Sequence, residues 1–226
     1  MTYDLFIGLL GFAFVTSVTP GPNNMMLLAS GVNFGLRRSL PHMLGISLGH
    51  SLMVFLVGLG LAGVIHSAPQ ALIVLKLASV SYMLWLAWKI AHSAAPKGAQ
   101  VGGKPFSFLQ AAAFQWVNPK AWAMALGATS AYAPEGTVQA AALVALVFAC
   151  VNFPSVSVWA AMGTMMRGFL RDPKRLRIFN GVMAALLVRL GVLAPDHPTA
   201  KRFLNAPITN WRGTVTGYMR PAAGLI

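Results

Sequence analysis

Six apolar runs separated by short polar turns constrain this chain more than any other feature. A bilayer core takes about 20 apolar residues of helix, with a range of roughly 17 to 25. The runs cover 5–30, 40–65, 69–90, 106–131, 138–166 and 178–193. Asp4, Glu135, Asp172 and Asp196 are the four carboxylates, so none falls between residues 5 and 134. A water-facing surface over that length would need them. Composition agrees: 57% of residues are hydrophobic and 9% charged, where a soluble domain carries roughly 25% charge. The expected fold is all-α, an integral membrane protein of about six transmembrane helices.

The formal charge of +13 invites a nucleic-acid reading, but the cations cluster in short turns between apolar runs. Arg37 and Arg38 lie in the first turn, Lys89, Lys97 and Lys104 in the third, and Arg167, Arg171, Lys174, Arg175 and Arg177 in the fifth. The second turn, at His66 and Ser67, and the fourth, at Pro134 and Glu135, have none. The positive-inside rule therefore places turns one, three and five in the cytoplasm and the N-terminus outside. Partners are expected to be membrane lipid and a small molecule, with no nucleic acid and with a homo-oligomer left open. Cys150 is the single cysteine, which removes disulfide frameworks, multi-cysteine metal sites and paired-thiol chemistry. No cofactor or metal is expected. MTYDLFIG at the start has no positive n-region and predicts a retained first helix.

The polar stretch 93–105 divides the membrane domain, 1–193, into halves 5–92 and 106–193 with three helices each. An odd number of crossings per half gives the halves opposite orientations, as in inverted-repeat transporters. The first helix of each half is interrupted, by Thr19-Pro20-Gly21-Pro22-Asn23-Asn24 and by Asn118-Pro119-Lys120. Proline removes a donor and glycine relaxes the backbone. Polar backbone freed at membrane depth is tolerated only where protein, water or a ligand satisfies it. Paired breaks at corresponding positions point to a transport site; a pair of packing kinks is the simpler account.

TPGPNN at 19–24, GISLGH at 45–50, LKLASVSYMLWLAWKI at 75–90 and NPKAW at 118–122 resemble the LysE superfamily of amino-acid exporters, RhtB branch, and most closely its cysteine and O-acetylserine exporter-like members. Together they cover roughly residues 1–185. The resemblance implies a bacterial inner-membrane efflux protein for small neutral amino acids or their derivatives, coupled to the proton gradient and not an enzyme. The chain departs from the pattern where Arg189 interrupts the last helix and a basic tail, 194–226, follows with no apolar periodicity. A shifted reading frame near Val188 and a genuine extension would both produce this; either way the tail is expected to be disordered or aberrant.

A zwitterionic substrate needs donors for its carboxylate and acceptors for its ammonium. The half-helix starting near Pro22 offers unpaired amides at its positive end. Carbonyls freed before Pro20, with the Asn23 and Asn24 side chains, offer acceptors. Pro20, Gly21, Pro22, Asn23, Asn24, Asn118, Pro119 and Lys120 are thus the candidate substrate-binding residues. Lys120 sits mid-segment, where an intramembrane charge is functional by default; snorkelling to the interface is the other reading, and for Lys76 the simpler one. Trp85 and Trp88 read as interface anchors. Gly45 and Gly49 form a small-xxx-small packing face, and Asn152 an interhelical hydrogen bond. His50 is the titratable candidate for proton coupling, since no membrane carboxylate is available; a packing histidine is the blander reading.

Two rivals remain. Gly45-Ile46-Ser47-Leu48-Gly49 spells the GxSxG of a serine hydrolase with His50 beside it, but that motif needs a strand-to-helix turn and an acid partner, and here it lies inside an apolar helical run. A non-transporting membrane scaffold would explain the hydrophobicity but not two broken helices.

Overall fold

A computed structural model describes residues 1–61, 69–92 and 104–192. The second turn at His66 and Ser67, most of the 93–105 linker, residue 193, the tail 194–226 and the side chain of Lys76 lie outside the described residues. The described chain is helical, with eight α-helices and no strand. They are α1 (Tyr3–Val18), α2 (Pro22–Phe34), α3 (Leu40–Leu56), α4 (Pro69–Ala91), α5 (Phe108–Val117), α6 (Pro119–Tyr132), α7 (Val138–Met166) and α8 (Pro173–Val192).

Several boundaries have a local cause. Thr2 caps α1 by accepting from the Leu5 amide at 3.4 Å, and Thr137 caps α7 through the Ala140 amide at 3.3 Å. Ser107 and Gln110 form a reciprocal capping box on α5, satisfying two amides that the first turn leaves unpaired. Asp172 accepts from the Lys174 and Arg175 amides at 2.7 and 3.1 Å and opens α8. Gly35, at φ 80°, ends α2 in the left-handed region that a side chain disfavours. A 3₁₀ turn, Arg37–Ser39, leads into α3, and α3 continues as a π-helical turn, Val57–Leu61.

Both expected interruptions are present. The chain bends by 55° between α1 and α2, and Asn118 alone separates α5 from α6, serving as C-cap of one and N-cap of the other. By length and apolarity, the segment from Arg37 to Leu61 and α7 qualify as single-helix spans, and the bent α1–α2 pair as a third. Fewer described spans pass than the six apolar runs predict. The physical reasons are visible in the others: Asn118 divides α5 from α6, and α8 carries Lys174, Arg175, Arg177 and Arg189.

The principal packing pairs are α2 with α7, α3 with α5 and α7, α1 with α7, and α4 with α8. Small residues let backbones meet. A Cβ on Gly31 would overlap the Ala160 carbonyl, and one on Gly163 would overlap that of Leu28, so α2 and α7 touch reciprocally. Gly45 and Gly49 do the same for α3 against α5, where a Cβ on Gly49 would lie 2.6 Å from the Ala112 Cα. That is the close small-residue contact on which helix pairs in lipid depend. On the outer surface, Leu5, Ile7, Phe14 and Val15 of α1 and Trp85 and Trp88 of α4 are exposed. In a membrane protein such apolar residues meet lipid.

Candidate functional site

The α1–α2 break frees carbonyls at the end of α1, and their partners can be followed one by one. Val15 O accepts from the Thr19 amide at 3.1 Å, and Thr16 O from the Thr19 hydroxyl at 3.1 Å. Ser17 O accepts from Asn24 Nδ2 at 2.9 Å. Val18 O accepts from the Trp159 indole of α7 at 3.0 Å. Thr19 O takes both Asn24 Nδ2, at 2.7 Å, and Lys120 Nζ, at 2.6 Å. Pro20 O accepts from Lys120 Nζ at 3.3 Å. Every carbonyl from Val15 to Pro20 is thus satisfied, as irregular backbone at membrane depth requires. Trp159→Phe strands the Val18 carbonyl and is expected to lower stability in detergent by about 1–3 kcal/mol, read as an earlier thermal unfolding midpoint; an unchanged midpoint would mean that water replaces the indole.

The acceptors expected for a substrate ammonium are therefore already paired, the last two of them by the protein's own ammonium. Lys120 starts on the second turn-breaking motif and reaches the first. Its Nζ also donates to the Thr19 hydroxyl at 3.0 Å. The side chain turns toward the first break and is half-buried. The path it takes runs over Gly21, where a Cβ would stand 2.5 Å from the Lys120 Cδ and 3.0 Å from Nζ. Gly21 has φ −171° and ψ 175°, extended backbone that any residue adopts. The glycine gives the lysine stem its space there, while its extended backbone makes no demand for glycine.

The two breaks are also joined in the other direction. Asn23 follows the opening proline of α2 as Lys120 follows that of α6, and Asn23 pairs with Gln115 near the end of α5. Nδ2 of Asn23 donates to the Gln115 Oε1 at 2.8 Å, and Gln115 Nε2 donates back at 3.1 Å and to Ala111 O at 2.9 Å. Asn118 accepts the Lys120 amide on its Oδ1 at 3.1 Å, capping α6. At α2 no side chain performs that service, so the amides of Asn23 and Asn24 remain open, at the end of a helix where the dipole favours an anion.

Between the breaks lies a narrow cavity of about 20 Å³, lined among others by Ser17, Gly21, Asn24, Asn118, Lys120 and Asn152. His50 lines it too. Its ring is buried, stands edge-on to Phe148 at 5.2 Å between centroids, and has no hydrogen-bond partner on either nitrogen. Of the predicted site residues, Gly21, Asn23, Asn24, Asn118, Lys120 and His50 are brought to this one cavity, while Pro20, Pro22 and Pro119 shape the breaks beside it. Ser17 and Gln115 escaped the sequence reading, because a polar residue within an apolar helix does not announce which neighbour it faces. Asn152 lines the cavity in place of forming the expected interhelical bond. Ser47 lies buried within α3 with no hydrogen bond to its hydroxyl, so neither the elbow nor the dyad of a serine hydrolase is formed.

Residues 14–194 match the LysE type translocator family. The chain is similar to the cysteine/O-acetylserine efflux protein of Klebsiella pneumoniae subsp. pneumoniae, 31% identical over 195 residues, which cover 85% of this chain and 97% of that protein. It is similar to the protein of the same name in Escherichia coli strain K12, 31% identical over 198 residues, covering 85% and 98%. No solved structure matches the chain. With a family match over most of its length, broken helices around a polar cavity and no hydrolytic arrangement, this chain belongs to the LysE type translocators, a family of transporters and not of enzymes.

Proposed function

We propose that this chain is a bacterial inner-membrane exporter of small neutral amino acids or their derivatives, driven by the proton gradient, with the substrate held between the two helix breaks. The observation that carries the reading is the junction of Lys120 with the first break. It places a cation, open helix-start amides and a set of backbone carbonyls around one cavity lined by no carboxylate. The substrate carboxylate meets the Asn23 and Asn24 amides and the Lys120 ammonium. Its own ammonium competes with Lys120 for the Thr19 and Pro20 carbonyls. A lining that contains Lys120 and no acid favours neutral over cationic amino acids. The names of the relatives support efflux of this substrate class.

His50 is the coupling residue in this proposal, since it is the titratable side chain that shares the cavity with Lys120. The helix pairings support an inverted repeat: exchanging the halves turns the α1–α7 contact into α5–α3 and returns α3–α7 and α4–α8 to themselves. Vesicles loaded with a panel of neutral amino acids should lose them faster when a proton gradient is imposed, and His50→Gln should remove the acceleration. Loss of no amino acid from the panel would refute the exporter reading. Topology has its own test. Single cysteines in turns one, three and five should react only from the cytoplasm, and cysteines at Ser67 and Gly136 only from outside; labelling of turn three from outside in intact cells would reverse the orientation.

A further inference from the structure

The cavity has a second polar part that the charged groups at its rim do not use. Ser17 of α1, His50 of α3 and Asn152 of α7 come together in its lining from three different helices, and they are 4%, 1% and 3% exposed. The Ser17 hydroxyl and both His50 nitrogens have no hydrogen-bond partner. The Asn152 amide forms none either among the described residues. Ser17 is the more telling because a helical serine usually bonds the carbonyl one turn back, as Ser51, Ser155 and Ser157 do here. The carbonyl one turn back, Ala13 O, accepts the Thr16 hydroxyl at 3.4 Å, and the Ser17 hydroxyl is left over.

Unpaired polar groups at this depth are costly, and most buried ones find partners. Ser17 and His50 are two such groups, and with the Asn152 amide on the same lining they form a set with both donors and acceptors, since a hydroxyl, an amide and a neutral imidazole each offer both. Ala121, Met124 and Val156 are the apolar walls, the Thr16 hydroxyl is taken up by Phe12 O at 2.6 Å, and Phe148 closes on His50. The space they leave is about 20 Å³, room for a hydroxyl-sized polar group.

We infer that Ser17, His50 and Asn152 form a side-chain pocket that selects small amino acids ending in a hydrogen-bonding group over apolar ones of the same size. The inference rests on the exporter reading above and adds to it the residues that set specificity. Lys120 and the break amides recognise what all amino acids share, whereas this pocket recognises what distinguishes them. A site built to hydrogen-bond a hydroxyl rejects an isostere that lacks it far more strongly than an apolar pocket can, because its own polar groups are then left unpaired.

Serine and 2-aminobutyrate differ in one hydroxyl against one methyl and form the probe pair. The full chain, reconstituted in liposomes loaded with both at equal concentration, should release serine at least about tenfold faster. Ser17→Ala and Asn152→Leu should each reduce that ratio by about fivefold or more. If either variant fails to insert, thermal protection of the detergent-solubilised wild type decides: serine should protect at concentrations about tenfold lower than 2-aminobutyrate. Equal release of the two by the wild type, or a ratio that neither variant moves, would mean that the pocket holds only water, and it would overturn the inference while leaving the exporter intact. Release of neither serine nor 2-aminobutyrate nor any other neutral amino acid would overturn the exporter reading itself.

Discussion

Gly21→Leu is expected to abolish export from a protein that still reaches the membrane. A Cβ at this position already lies 2.5 Å from the Lys120 Cδ, and the larger side chain must force the lysine stem aside. Lys120 Nζ then leaves Thr19 O, the Thr19 hydroxyl and Pro20 O, three contacts of 2.6, 3.0 and 3.3 Å. The same side chain covers the opening amides of α2, so the carboxylate loses both of its donors. Two charge-assisted contacts at about 1.5–3 kcal/mol each would lower apparent affinity by well over a hundredfold. Gly21→Ala should be intermediate, since a lysine stem can rotate away from one methyl group. The decisive comparison is a double-mutant cycle. If Gly21 exists to let Lys120 pass, Gly21→Ala should cost much less in a Lys120→Ala background than in the wild type. Equal costs in the two backgrounds would show that the glycine serves the backbone and not the lysine.

This pair of residues also illustrates what a sequence can and cannot disclose. The breaks were legible because Pro-Gly-Pro and a capping Asn before Pro act together, where the lone Pro154 is carried inside α7, and the structure interrupts the chain at Thr19–Gly21 and at Asn118. Helix α7 was legible to the residue, because Thr137 caps a long apolar run and basic Arg167 ends it. The small-residue face of Gly45 and Gly49 was legible as packing, though not its partner α5. Partners are set by tertiary geometry. Nothing in NPKAW says that Lys120 crosses to a motif about a hundred residues earlier, and nothing in Gln115 says that it answers Asn23. The same limit applies to Ser17 and Asn152. On an apolar helix whose neighbours are also apolar, hydrophobic periodicity no longer separates an inward from an outward face, so a cavity-lining residue looks like any other.

Lys120→Met is the second decisive variant, and its interpretation depends on separating two roles that the structure superimposes. Lys120 holds the break together, since its ammonium satisfies Thr19 O and Pro20 O; among the described residues it is also the one cation in the cavity lining. Methionine keeps much of the apolar stem and removes the charge. Losing one contact to a charged group, about 1.5–3 kcal/mol, should weaken apparent substrate affinity by roughly tenfold to a hundredfold. A purely structural lysine would also reduce transport, by leaving two carbonyls unpaired, so affinity for the amino acid alone does not separate the roles. The amino acid amide does. It retains the ammonium and the side chain but lacks the carboxylate, so the wild type should bind an amino acid well ahead of its amide. In a well-inserted Lys120→Met protein that preference should fall by the same tenfold or more, because the group that recognised the carboxylate is gone, whereas damage to the break would weaken amino acid and amide alike. A variant that keeps the full preference assigns Lys120 to the architecture of the break, and the open amides of α2 must then recognise the carboxylate without it.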